Sequence, residues 1–386
     1  MLLSPFFQKL FIAPVLFFTF FCMVPMVSAS ANEVNHEVFD SKEVTFHHVL
    51  DQYDWEFFKM PDGTPVKILL PRIFYDKHAK KLVFFKSTED AREVGFCDAL
   101  PYNPDAKHGD LLLPGAQERL DVFTKELAKT TDPTVQKNLQ KRIDETYSEY
   151  SPLDFSISKN VIFLFIAAIL VLIIFLSVAR SYKKNVGKAP SGLQGAMEPV
   201  ILYIRDEVGK ENIPNMYERF MPMLLTMFFF ILFLNLLGMV PFSSNVSGNI
   251  SFTLTLALIT LVVTNVMANK AYWKHIFWPP VPHFMKVLMI PLEIVSIFTK
   301  PFALTIRLFA NITGGHIVVI SLLSLIFIFG KMGQDATAGF SVGILSTLFV
   351  IAIGLLELFV ALLQAFVFTL LTAVFIGQAV AVEEHH

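Results

Sequence analysis

The stretch KPFALTIRLFANITGGHIVVISLLSLIFIFG, residues 300–330, decides how the chain is read. It sets Arg307, Asn311 and His316 inside an otherwise apolar run of membrane-crossing length, since about 20 apolar residues cross about 30 Å of hydrocarbon. An arginine at the bilayer centre costs about 3 kcal/mol on insertion scales, and its guanidinium never sheds its proton. Such a residue faces protein or water and marks an ion or substrate path. Upstream in the same helix stand Glu293 and Lys300. The next apolar helix, over 342–380, carries Glu357, Gln364 and Gln378. One structural explanation is an ion pair of Arg307 with Glu357 or Glu293 that simply holds the bundle together.

Working outward, the rest of the chain reads as a polytopic membrane protein. Its 386 residues are 54% hydrophobic with 40 Phe, and the mean hydropathy is +0.56. A net charge of −2 gives no basic excess for nucleic acid. The runs 161–179, 220–240 and 250–268 each have spanning length, followed by long helices over about 285–330 and 342–380. The basic cluster RSYKKNVGK after the first run marks the cytoplasmic side. Residues 192–213 are amphipathic and too polar to span, which suits a helix lying along the cytoplasmic interface. The expected fold is therefore an all-α membrane domain, 159–386, with five transmembrane helices and one interfacial helix.

Two segments precede it. Residues 1–31 combine Lys9, an apolar core and the small-residue end SASA, the pattern of a secretory signal peptide; an uncleaved first helix is the alternative. A cleaved signal would leave residue 32 outside, in agreement with the basic cluster. Residues 32–158 then form a small external region of mixed α/β type. Short β-type runs surround a PDG turn, and GAQERLDVFTKELAKTTDPTVQKNLQKRIDETYSEY has helical spacing interrupted at DP. His47 and His48 lack a second ligand cluster nearby, so no metal is expected. Cys97 would be the one thiol of the mature chain.

Helix geometry arranges the polar set. Glu357 and Gln364 are seven residues apart, on one face and about 10 Å apart along the axis. His316 follows Arg307 by nine residues, about 13 Å further outward and on the opposite face. The second helix runs inward. If Gln364 is level with Arg307, Glu357 and His316 meet at one depth on the external side, where both can exchange protons. Arg307 then looks away from them as a fixed charge, and Gly314-Gly315 thins the helix for a close neighbour.

These residues resemble a known family, the a subunit of the rotary F-type ATP synthases. The resemblance covers about 155–380 and is strongest in IPLEIVSIFTKPFALTIRLFANITGGHI, continuing in ELFVALLQAFVFTLLTAVF, NLLGMVPF and GLQGAMEPV. It implies that Arg307 is the essential arginine facing the ring of c subunits, with Gln364 beside it and Asn311 and Glu293 at further polar positions. It also implies that the last two helices are long and tilted, and that two offset half-channels carry protons past the ring. One departure stands out. Some members have a glutamate nine residues after the arginine and a histidine seven before the glutamine, whereas here His316 and Glu357 hold those places in swapped order. The implied partners are the c-ring, the b subunits of the peripheral stalk, the F1 sector and the lipid bilayer, with no cofactor. The implied location is a bacterial inner membrane with a periplasmic N-terminal region and a cytoplasmic C-terminus; a mitochondrial inner membrane is the alternative.

Two rival classes remain. A secondary transporter could use Arg307 for an anionic substrate, but no internal repeat is visible. An intramembrane hydrolase would need a motif such as HExxH, and a nucleotide enzyme a GxxxxGK[ST] loop; neither occurs.

Overall fold

The computed structural model describes residues 53–59, 65–103, 106, 109–130, 132–240, 243–279, 281–331 and 334–380. The expected signal peptide, His47, His48 and the PDG turn at 61–63 lie outside them. The described residues divide into two compact units, one within 51–163 and one from 164 onward.

The smaller unit mixes short strands and helices. Strands β1 (Asp54–Lys59) and β2 (Pro65–Leu69) form an antiparallel pair. Strands β3 (Arg72–Asp76) and β4 (Lys81–Phe85) form a second. Helix α1 (Thr88–Glu93) is capped by Ser87, whose side chain accepts from the Asp90 N–H. Two-residue strands β5 (Cys97–Asp98) and β6 (Leu111–Leu112) pair before helix α2 (Ala116–Lys129). The DP dipeptide does interrupt the helical run. Asp132 caps α3 (Pro133–Tyr150) and Pro133 fills its first turn, where a missing N–H is harmless. Strand β7 (Leu153–Asp154) then returns to β3, giving the order β4-β3-β7.

Alternation along these strands separates an inner from an outer face. Phe74 and Phe85 turn inward, where Phe74 and Phe96 stack 5.2 Å apart over Ala91, Leu111 and Leu113. Arg72, also inward, is fully buried. Its guanidinium lies 3.5 Å from the Tyr53 ring centroid and 4.8 Å from that of Phe74. Nη2 donates to the Gly109 carbonyl at 2.9 Å and to Asp154 Oδ2 at 3.4 Å. Burial lowers the Arg72 pKa, opposed by Asp154, and raises that of Tyr53.

The larger unit is helical throughout. Helix α4 (Lys159–Lys184) is followed by α5 (Gly192–Tyr203), which continues as a π-helical turn, Ile204–Lys210. Helix α6 (Tyr217–Gly238) leads through a 3-10 turn, Val246–Gly248, into α7 (Ile250–Val266) and α8 (Lys270–Phe277). The two longest helices close the chain: α9 (His283–Phe329, 47 residues) and α10 (Ala336–Val380, 45 residues). Four helices are long and apolar enough to cross a membrane, or five if α7 and α8, bent by 101°, count as one broken span.

The stretch 192–213 is not among the helices long and apolar enough to cross a membrane; Ile204, Val208 and Ile213 bury themselves in the core shared with α6 and α10. Gly377 of α10 backs directly onto the Asn212 carbonyl with no room for a Cβ. The bend after α7 has a clear cause. Asn269 places its backbone N–H on the Ala379 carbonyl at 2.8 Å and its side-chain Nδ2 on that of Val380 at 3.0 Å. It thereby satisfies carbonyls that a helix end leaves orphaned. At the other end, Gly330 and Gly339 touch across the α9–α10 turn, where a Cβ on Gly339 would sit 3.1 Å from the Gly330 Cα.

Candidate functional site

Helices α9 and α10 run antiparallel and pack along their length, and polar rungs join them. Lys300 Nζ donates to Gln378 Oε1 at 3.0 Å, and Asn311 Nδ2 donates to Gln364 Oε1 at 3.1 Å. His316 Nε2 stands 3.6 Å from Glu357 Oε1. The residue numbers of each pair sum to a nearly constant value, as a continuous antiparallel register requires. Moving along α9 from Lys300 to His316 therefore means moving along α10 from Gln378 to Glu357.

This register places Gln364 level with Asn311, one turn or about 6 Å along α9 from Arg307. Helix arithmetic fixes angles on one helix and leaves the offset between two helices free, so only packing could set it. Gly315 helps to set it here. A Cβ on Gly315 would come within 3.1 Å of Glu357 Oε1, so the glycine lets the buried carboxylate lie against the backbone of α9. Gly314, its neighbour, faces open space.

Arg307 stands apart from all the rungs. It is exposed, as are Ala303 and Ala310, its neighbours one turn away on the same side of α9. Further along this register, level with Asn311 to His316 and beyond, α10 exposes Leu355, Leu356, Phe359, Leu362 and Leu363, so the exposed surface of the two helices is largely apolar. Among the described residues Arg307 makes no ion pair, with Glu357, Glu293 or any other carboxylate. The bundle-holding ion pair is therefore absent from this part of the molecule. Glu293 is half-buried on α9, seven residues and two turns before Lys300.

Polar groups lie on both sides of Arg307 along the helix axis. On one side are His316 and Glu357. Next to them Thr313 Oγ1 donates to the Gly248 carbonyl at 3.4 Å, and the adjoining loop buries Ser244, Asn245 and Ser247. On the other side a small cavity is lined by Thr260, Thr264, Asn265, Tyr272 and Lys300.

Sequence reasoning missed Asn235 of α6. Buried, it donates from Nδ2 to the Ala361 carbonyl of α10 at 3.1 Å, midway between Glu357 and Gln364. Its signal was visible as a single amide within FFFILFLNLLG, where every neighbour is apolar. Thr260 and Thr372 form a further buried contact, at 3.5 Å between α7 and α10.

Comparison with known proteins agrees with this architecture. Residues 161–377 match the family described as ATP synthase A chain. Residues 44–99 match a second family, described as a domain of unknown function. Among relatives, ATP synthase subunit a of Chloroherpeton thalassium is 46% identical over 243 residues, 61% of this chain and 70% of the relative. ATP synthase subunit a 2 of Prosthecochloris aestuarii is 46% identical over 242 residues, covering 60% and 71%. ATP synthase subunit a of Myxococcus xanthus is 43% identical over 245 residues, covering 61% and 76%. With more than half of its length matched, this chain belongs to the ATP synthase A chain family.

Proposed function

We propose that the chain is the proton-conducting stator subunit of an ATP synthase, set against a rotating ring of c subunits. The observation that carries this reading is the exposed Arg307, without an ion pair among the described residues, on the largely apolar exposed surface of α9 and α10, with separate polar groups on either side of it along the axis.

In this reading that surface faces the ring. Protons enter from outside past His316 and Glu357, whose 3.6 Å separation suits transfer by a small side-chain movement or a single water. They pass to a ring carboxylate, which then turns into lipid as the neutral acid. The next carboxylate to arrive meets the Arg307 guanidinium, which favours its ionised form and drives its proton out on the far side. Glu293 and the cavity at Lys300 line that exit. The Asn311–Gln364 rung lies between the entry pair and Arg307. Amides do not titrate near neutral pH, so this rung holds geometry without relaying protons. A membrane potential contributes about 2.3 kcal/mol per charge per 100 mV, which biases rotation.

The same reading makes residues 1–31 a signal peptide and 32–158 a periplasmic region of a bacterial inner-membrane subunit. The b subunits and the F1 sector complete the assembly. The test is ATP-driven proton pumping by Arg307→Ala complexes in vesicles. Complete loss in a fully assembled complex supports the reading, and retained pumping overturns it.

A further inference from the structure

The smaller unit leaves one sheet face uncovered. On the outer side of β4-β3-β7, Ile73 pairs with Phe84 and Tyr75 with both Leu82 and Leu153. Phe155 continues β7, its N–H donating to the Ile73 carbonyl at 2.8 Å. Phe84 is 66% exposed, Phe155 60%, Leu82 52% and Leu153 49%. An isolated apolar residue on a surface is ordinary, but a contiguous row on one sheet face marks an interaction surface.

Two observations say what covers it. The first is tether length. Phe155 precedes the start of α4 at Lys159 by four residues, at most about 14 Å of extended chain. Helix α4 is apolar enough to cross a membrane, so Phe155 lies within that reach of the start of a spanning helix. The second is a contact in the first turns of that helix. The Trp55 ring packs edge-on against Phe163, 5.0 Å between centroids. A tryptophan beside the first apolar turn of a spanning helix occupies the place where indoles collect at membrane–water interfaces. Exposed Lys86, in phase with Leu82 and Phe84 along the chain, is able to reach lipid headgroups while its stem lies over apolar surface.

We propose that the outer face of the β4-β3-β7 sheet is a membrane-docking surface. Phe84, Leu82, Leu153 and Phe155 then lie in the headgroup region of the leaflet that α4 enters. The proposal does not depend on the proton path, and pumping activity does not report on it.

The test places tryptophan at Phe84→Trp and Phe155→Trp, with Val135→Trp on the exposed side of α3 as control. The full complex is reconstituted in phosphatidylcholine–phosphatidylglycerol vesicles, and added emission is taken as the difference from the parent complex. Phosphatidylcholine brominated in its acyl chains near the headgroup should extinguish most of the added emission at positions 84 and 155, while aqueous iodide leaves it nearly unchanged. Position 135 should show the opposite response. Iodide quenching at 84 and 155 equal to that at 135 would mean an open, wet face and overturn the proposal. Resistance to both quenchers would mean that protein covers the face, which also overturns it.

Discussion

The two units each hold an arginine in an apolar setting, and their surroundings could hardly differ more. Arg72 lies between the rings of Tyr53 and Phe74, and donates to the Gly109 carbonyl and Asp154. Arg307 is exposed and makes no ion pair among the described residues, although Glu357 and Glu293 stand on the same two helices. A charge whose neighbours are all internal is part of the fold. A charge that the fold leaves without an ion pair on a largely apolar surface is placed for something outside the chain. Burial alone would have ranked these two residues the other way round.

Four predictions probe this contrast. The largest effect is at Arg307, where Ala abolishes ATP-driven pumping while complex assembly is unchanged, measured by pumping per assembled complex. Next is Arg72→Ala, which deletes a fully buried side chain and leaves the Gly109 carbonyl without its donor, destabilising the smaller unit by about 2–5 kcal/mol. Resistance of residues 53–158 to limited proteolysis measures it. Gly315→Ala is third. Its methyl group meets the Glu357 carboxylate at about van der Waals distance or closer, with a cost of about 1–3 kcal/mol, whereas Gly314→Ala meets nothing within the chain; thermal unfolding separates the two. The smallest effect is a coupling. His316→Ala and Glu357→Ala each slow pumping, and the double variant departs from additivity by about 0.5–3 kcal/mol. Additive losses would dissolve the proposed entry pair.

Much of the membrane unit was legible because apolar length is a strong signal. The runs at 161–179 and 220–240 became α4 and α6, and the two long regions became α9 and α10. Helix α8 was not foreseen. Its basic residues, Lys270, Lys274 and His275, read as the end of a span, and the bend depends on Asn269 capping the distant end of α10. The break at DP was legible because proline fixes the first turn of α3. The pairing of β7 with β3 was not, since a two-residue strand has no period to read and its register lies in a partner almost 80 residues away. In the candidate site, angles on each helix were legible and the offset between helices was not. That is why Gln364 stands opposite Asn311 and not Arg307. Asn235 was overlooked for a similar reason: its meaning comes from the Ala361 carbonyl, which only packing supplies.

The most direct test of the central claim measures ATP-driven proton pumping for Arg307→Ala and Arg72→Ala side by side, normalised to assembled complex. The expected result is an assembled Arg307→Ala complex that pumps nothing. Arg72→Ala complexes should be fewer but pump at the parental rate per complex. Pumping retained without Arg307, or abolished equally in both variants, would contradict the account.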